Sequence, residues 1–167
     1  MSAALLRRLQ AEGVVLSGEP IMDAYLYKAA LWCGPCIIRT LIAERKAAPS
    51  AIDMPPAEVL EQIVSADGFI NESDYDSHDL PKGPYADGGG EADTPHHCDG
   101  CRQFLQNPLT GNGRTYVEGA IRRWITTRRL SAATSNAVVV DWAEFYKDEL
   151  DFRRIVLEAL KELPPRA

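Results

Sequence analysis

The chain has 167 residues, a net charge of −6, and 46% hydrophobic residues. That length suits one domain with a real hydrophobic core and no need for disulfide staples. No apolar run approaches the roughly 18 residues that a membrane span requires, and the segment from Met1 to Gln10 does not have the charge pattern of a signal peptide. We therefore expect a cytoplasmic protein without membrane contact, in which thiols stay reduced.

Charge is unevenly distributed along the sequence. Residues 71–100 contain eight acids and one base, whereas residues 101–130 contain six arginines and one acid. An acidic protein is a poor nonspecific binder of nucleic acid, because Lys and Arg contacts to phosphate supply most of that affinity. Nucleic-acid binding is therefore a weaker hypothesis, and it would use the arginines that follow the second cysteine pair: Arg114, Arg122, Arg123, Arg128 and Arg129.

Apolar spacing predicts several elements in the first half of the chain. Residues 2–10 read as a short amphipathic helix, and residues 24–32 as an extended, β-prone segment. A helix is expected after Cys36, ending near Pro49. A further helix is expected over 56–66, where Pro56 suits the first helical turn.

The second half begins with a long loop. From Asn71 to His97 the apolar periodicity gives way to Asp, Gly and Pro, and the three glycines 88–90 are interpreted as a flexible linker. A helix is predicted over 116–129. Residues 137–140 read as a short buried strand, and a single helix is expected from there to about Glu162, with Asp141 as its N-cap.

Four cysteines form two Cys-x-x-Cys pairs, Cys33 with Cys36 and Cys98 with Cys101. Each pair holds turn residues between its cysteines, and two such turns can aim four thiolates at one Zn²⁺ ion. The 61 residues between the pairs exceed the spacing of a compact zinc ribbon, so residues 37–97 are expected to fold as an insertion.

Two histidines directly precede the second cysteine pair. His96 or His97 offers an alternative metal ligand in place of one cysteine, because imidazole is also a common zinc ligand. Solvated loop histidines are the favoured interpretation, and this alternative remains open at the level of sequence.

The stretch Trp32-Cys33-Gly34-Pro35-Cys36 resembles the active-site motif of the thioredoxin family, and an apolar helix follows it as in that fold. The resemblance implies a thiol-disulfide oxidoreductase in which Cys33 is the attacking thiolate and Cys36 the resolving thiol. A second Cys-x-x-Cys has no role in that scheme. No nucleophile elbow, His-Glu-x-x-His motif or acid/base pair supports other catalysis.

A longer segment, residues 82–110, resembles a group of small bacterial and phage proteins of unknown function. Its shared features are the glycine-rich acidic run, the Cys-Asp-Gly-Cys pair and the tail Phe-Leu-Gln-Asn-Pro-Leu-Thr. Those proteins are similar in having an upstream Cys-x-x-Cys as well. The resemblance favours zinc over redox chemistry and implies a phage-related protein, without supplying an activity.

Together these observations predict a small α+β protein. Its core is a zinc knuckle of the zinc-ribbon or treble-clef type, with several helices and a long acidic, glycine-rich loop. Residues 1–130 are expected to form the zinc-knuckle domain, and residues 131–167 to add a strand and a C-terminal helix packed on it. The predicted function is a non-catalytic, zinc-binding adaptor with a protein partner.

Overall fold

The computed structural model describes residues 23–127 and 136–163. These residues form a mixed α+β fold with five α-helices and one three-stranded antiparallel sheet, so the predicted α+β class is confirmed. They fall into two compact units. Residues 23–91 and 96–108 form what we call the cysteine unit, and residues 92–95, 109–127 and 136–163 form the helical unit.

The sheet lies in the cysteine unit. Its strands are β1 (Ala24–Tyr27), β2 (Ala30–Cys33) and β3 (Lys82–Tyr85), in the order β2-β1-β3. Lys28 and Ala29 join β1 to β2 with φ angles of 52° and 59°. Positive φ at both positions gives the tight turn whose twist matches that of a hairpin. The predicted extended segment is therefore confirmed as a β-hairpin that ends at Cys33.

Helices α1 (Gly34–Ala43) and α2 (Pro56–Ala66) follow the hairpin, with a 3-10 turn at Pro49–Asp53 between them. Both helices were predicted from their apolar spacing. Their apolar faces and the hairpin tyrosines share one core, whose buried members are Tyr25, Tyr27, Ile37, Ile38, Leu41, Ala51, Val59 and Leu60. This core fixes the start of α1, and with it the first cysteine pair, against the hairpin.

The long acidic segment is more ordered than its composition suggests. It contains a 3-10 turn at Glu72–Asp74 and strand β3, neither of which was predicted. Gly88 is buried at φ +66°, and a Cβ atom there would lie 2.1 Å from the carbonyl oxygen of Leu105. The interpretation of the glycine run as a flexible linker is therefore wrong, because Gly88 permits close packing of two backbone segments.

The helical unit consists of α3 (Gly111–Thr127), α4 (Asn136–Phe145) and α5 (Phe152–Glu162), with α3 in contact with both of the others. The predicted helix over 116–129 is confirmed within its described part, and it begins earlier, at Gly111. The core of the helical unit contains Val117, Ala120, Ile121, Val139, Val140, Trp142, Ile155 and Ala159.

Two predictions for the C-terminal region are wrong. The predicted strand over 137–140 belongs to α4, because a short apolar run fits a buried helix as well as a buried strand. The single helix expected beyond it is two helices, and Asp141 lies inside α4 rather than at its N-cap. The observed cap is Asp151, whose side chain accepts a hydrogen bond from the Arg154 backbone N at 3.0 Å.

Two predictions fall outside the described residues: the helix over 2–10 and the domain boundary between 130 and 131. Within residues 23–127 and 136–163, no helix combines the length and apolar character needed to cross a bilayer.

Candidate metal centre

The first cysteine pair lies where strand β2 becomes helix α1. Cys33 ends β2 and is the N-cap of α1, while Cys36 lies in the first turn of that helix. Gly34 is required between them, since a Cβ atom there would lie 2.8 Å from Cγ of Pro56. Pro35 suits an early helical position, where no backbone donor is needed. The strand-to-helix junction thus directs both sulfur atoms to the same side.

The second pair forms a tight turn. Cys98 N donates to Gln103 O at 2.8 Å, and Arg102 N donates to Cys98 O at the same distance. Arg102 has a φ of 65°, a left-handed conformation that closes the turn after Cys101. The two hydrogen bonds close residues 98–101 into a turn that brings the sulfur atoms of Cys98 and Cys101 to one point.

Backbone contacts bring this turn against the first pair. Asp99 N donates to Leu31 O of strand β2 at 2.8 Å. A Cβ atom on Gly100 would lie 3.1 Å from Sγ of Cys36 and from the Trp32 ring. Glycine between the second pair of cysteines is therefore a condition for the close approach of the turn to α1.

The four cysteine sulfur atoms lie within 4.8 Å of one another, an arrangement that can hold a metal ion. Sγ of Cys33 and Sγ of Cys101 are 3.7 Å apart. Cys33, Cys36 and Cys98 are buried, with 2%, 8% and 0% exposure, whereas Cys101 is exposed. Three of the four cysteines are therefore shielded from solvent, and Cys101 is the member of the cluster that meets it.

The buried cluster separates the pKa values of its thiols. A hydrogen bond with Cys33 lowers the pKa of Cys98 to about 4. The same hydrogen bond, together with burial, raises the pKa of Cys33, and burial raises the pKa of Cys36 to about 11. One thiolate is thus stabilised while a second negative charge is opposed, and a divalent cation would supply the missing positive charge.

Residues around the second pair hold it in place, and the sequence pattern assigned them no role. Asn107 is fully buried, its side-chain Oδ1 accepts from His96 N at 2.6 Å, and its Nδ2 donates to Pro108 O at 3.0 Å. Leu105 packs directly against the cysteine cluster. The available signal was the Asn-Pro pair of the Phe-Leu-Gln-Asn-Pro tail, because Asn and Pro are both common in turns, where Asn side chains hydrogen-bond nearby backbone groups.

The two histidines lie beside the second pair without joining the sulfur group. The Nδ1 atom of His96 is 3.0 Å from Gly88 O, and the ring of His97 packs against Phe104 with centroids 5.7 Å apart. Both side chains are half-buried rather than solvated. In the described part of the chain, the group of side chains placed to hold a metal consists of the four cysteines.

Two of the five arginines that suggested a phosphate-binding helix are engaged in ion pairs in the helical unit. Arg114 pairs with Glu149 at 3.2 Å, and Arg122 pairs with Glu158 and Glu162 at 3.1 Å each. Arg128 and Arg129 fall outside the described residues. The positive charge of the described part of α3 is therefore largely offset by carboxylates on neighbouring elements.

A separate groove in the cysteine unit has a volume of about 730 Å³. Its apolar floor is formed by Ala51, Met54, Val59, Ile63, Phe69 and Leu80. Four acids line it, Asp67, Asp74, Asp76 and Asp79, against two bases, Arg45 and Lys46. The lining therefore has two more acids than bases, and we call this feature the acidic groove.

Comparison with known proteins adds no family to this geometry. No family model, curated protein sequence or solved structure matches the chain.

Proposed function

We propose that the protein binds one zinc ion through Cys33, Cys36, Cys98 and Cys101, and that this site is structural. The observation that carries the proposal is the clustering of all four sulfur atoms within 4.8 Å. Thiolates in a tetrahedron around Zn²⁺ lie about 2.3 Å from the metal, which places neighbouring sulfurs about 3.8 Å apart. The 3.7 Å between Cys33 and Cys101 matches that edge and is far longer than a disulfide bond.

The origin of the four ligands favours a treble-clef-like site over a zinc ribbon. One pair comes from a tight turn, as in both classes, but the other comes from the first turn of a helix. A set of four protein ligands leaves no open position for water or substrate, which is the pattern of a structural rather than a catalytic zinc site. A non-catalytic role is therefore part of the proposal.

Elemental mass spectrometry of natively purified protein tests the metal. We expect one zinc per chain and four thiols that react fully only after denaturation or chelation, because binding holds every ligand as a thiolate. Tetrahedral sulfur sites also suit iron, so stoichiometric iron would replace zinc in this proposal. Protein that contains neither metal, even after reconstitution under reducing conditions, would contradict it.

Substitution of the neighbouring histidines distinguishes a site of four cysteines from a site in which His96 or His97 replaces one cysteine. We expect His97→Gln and His96→Gln to retain one zinc per chain, whereas Cys98→Ser loses the metal. Loss of zinc in either histidine variant, with the fold retained by circular dichroism, would show that a histidine serves as ligand.

The thioredoxin-like alternative uses Cys33 as a nucleophile and is less well supported. An attacking thiolate needs access and a lowered pKa. Cys33 is 2% exposed and its pKa is raised by its hydrogen bond to Cys98 and by burial. Selective alkylation of Cys33 in the native protein near neutral pH would restore the redox hypothesis.

For the adaptor role, we propose that the acidic groove binds a basic amphipathic segment of a protein partner. Its apolar floor can take the apolar face of such a segment, and Asp67, Asp76 and Asp79 can pair with flanking Lys or Arg residues. Charge complementarity therefore selects the class of partner, and it would speed association more than it tightens binding.

A labelled amphipathic Leu/Lys peptide tests the groove by fluorescence anisotropy. We expect Asp67→Lys combined with Asp79→Lys to weaken binding by about tenfold or more, since each change reverses a charge at the rim. Asp148→Lys, an exposed change in the helical unit, is the matched control and should leave binding unchanged.

Two results would overturn the groove assignment. The first is equal peptide affinity in the double variant and the parent. The second is self-association in sedimentation that the double variant abolishes, which would assign the groove to a second copy of this chain.

A further inference from the structure

The four cysteines of the cluster differ in exposure. Cys33, Cys36 and Cys98 are buried, but Cys101 is exposed, and so are its neighbours Gly100 and Arg102. We propose that Cys101 is an oxidation site at which a peroxide releases the metal and joins Cys101 to Cys33 in a disulfide. This inference rests on the proposed four-cysteine metal site.

Access makes Cys101 the first cysteine to react. A metal-bound thiolate remains a nucleophile, so the ligand that meets solvent controls the reaction with dissolved oxidants. The three other sulfurs are shielded by the hairpin, by α1 and by Leu105, which pack around them. A small oxidant such as hydrogen peroxide therefore reaches Cys101 without opening of the fold.

Distance makes Cys33 the second partner. Its sulfur lies 3.7 Å from that of Cys101, and disulfide formation would require the two atoms to approach by less than 2 Å. This pairing crosses between the two Cys-x-x-Cys motifs. It differs from the Cys33–Cys36 disulfide that the thioredoxin-like motif implies, so the two chemistries give different products.

The reaction balances in two steps. The Cys101 thiolate attacks one peroxide oxygen, the O–O bond breaks, and hydroxide leaves to give a sulfenic acid. Cys33, which the metal holds as a thiolate and which needs no solvent access to reach a neighbouring sulfur, then attacks Sγ of Cys101, the S–S bond forms, and a second hydroxide leaves. Two thiolates lose two electrons and the peroxide gains them. The metal loses two of its four ligands and dissociates.

The disulfide would connect the same two segments that the metal connects. Cys33 belongs to the β2–α1 junction and Cys101 to the tight turn, so the cysteine unit stays cross-linked after the metal has left. Cys36 and Cys98 remain as buried thiols. Oxidation would therefore yield a folded, metal-free form that differs from the reduced apo-protein.

Oxidation of the zinc-loaded full-length chain by hydrogen peroxide tests the inference, with a chromogenic chelator to follow metal release. We expect one zinc released for every two thiols lost, and peptide mapping without reduction should identify a Cys33–Cys101 cross-link. A Cys33–Cys36 or Cys98–Cys101 disulfide would overturn the proposal, as would oxidation that leaves the zinc bound.

Cys101→His provides a variant that keeps a zinc ligand but removes the exposed thiol, because three cysteines and one histidine form a normal structural site. We expect peroxide to release zinc from this variant at least about tenfold more slowly than from the parent. Arg153→Ala, which removes the same charge at an exposed position of α5, is the matched control and should release zinc at the parental rate. Equal rates in Cys101→His and the parent would refute the role of Cys101.

The metal content before oxidation separates this inference from the proposed function. A chain that never holds metal contradicts the four-cysteine site itself. Zinc-loaded protein in which peroxide forms a disulfide within one motif refutes the role of Cys101 and leaves the four-cysteine site intact.

Discussion

Gly88 and Asn107 position the second cysteine pair although neither carries a ligand. Gly88 allows the backbone of the acidic segment to meet Leu105, and Asn107 satisfies the backbone N–H of His96. His96 in turn lies two residues before Cys98. The clustering of the four cysteines could be predicted from residue type and spacing, whereas the contacts of these supporting residues could not, because they join distant backbone segments.

Gly88→Ala should destabilise the protein by about 2–4 kcal/mol, because the new Cβ atom would collide with the Leu105 carbonyl and occupy a left-handed backbone position. Gly90→Ala is the matched control. It also has positive φ, at 94°, but nothing lies within 4 Å of its Cβ position, so the expected cost is about 1 kcal/mol. Urea denaturation of both variants measures the difference, and equal costs would contradict the packing role.

Asn107→Ala should cost about 1–3 kcal/mol, because it leaves the His96 backbone N–H without its acceptor in a buried setting. Asn112→Ala, at an exposed position, should change the free energy of unfolding by less than about 0.5 kcal/mol. Urea denaturation of the zinc-loaded forms provides the measurement. An Asn107→Ala variant as stable as the Asn112→Ala control would refute the proposed role.

At the scale of elements, the sequence predicted helices better than their boundaries. The long periodic segments that became α1, α2 and α3 were identified because apolar spacing reports directly on a buried helical face. The run over 137–140 was mistaken for a strand, since four apolar residues carry no period. Strand β3 was missed because a Lys-Gly-Pro-Tyr sequence has little strand character and pairs only through β1.

Two substitutions near the break between α4 and α5 are expected to change the stability of the protein in opposite directions. Asp151→Ala should destabilise the protein by about 1 kcal/mol, since its carboxylate caps α5. Asp141 is instead half-buried inside α4, and burial raises the pKa of its carboxyl. Asp141→Asn should therefore raise the melting temperature at pH 7 rather than lower it.

The pH dependence identifies the cause of the Asp141 effect. A carboxyl whose pKa is raised on folding favours the folded state at low pH, and that contribution is lost as pH rises through the folded-state pKa. The advantage of Asp141→Asn over the parent should therefore be present at neutral pH and vanish near pH 3. Thermal melts across that range measure it, and a loss of stability at pH 7 would restore Asp141 as a cap.

At the scale of the whole molecule, the α+β class and the clustering of the four cysteines followed from sequence, but the order of the acidic segment did not. Composition identified residues 71–97 as irregular and correctly predicted few regular elements there. It could not reveal that this segment packs against the backbone beyond the cysteine turn, because irregular structure is stabilised by specific contacts rather than by periodicity.

Metal removal should act unevenly along the chain. We expect chelation to reduce amide-exchange protection in β2, in the first turn of α1 and in residues 98–105, because these segments carry the cysteines of the proposed site or adjoin them. Helices α3, α4 and α5 carry no ligand and should keep more of their protection. Hydrogen exchange with mass spectrometry gives the map.

Cys98→Ser without chelator should reproduce the same exchange map, because it removes one ligand of the proposed site. Loss of protection at equal rates in every helix, or no loss at all, would contradict a structural role for the metal.

The 61 residues between the two cysteine pairs have a further consequence for the unfolded chain. A covalent cross-link that closes a loop of that length excludes many extended conformations of the unfolded chain. For a comparable disulfide, this loss of entropy stabilises the folded state by about 4 kcal/mol. A metal ion can leave the unfolded chain, so it does not restrict that ensemble as a covalent bond does. The cost of closing the loop falls on binding instead: a metal held by both pairs would bind the folded chain, in which the pairs already lie together, far more tightly than the unfolded chain, and that difference in affinity would be its contribution to stability.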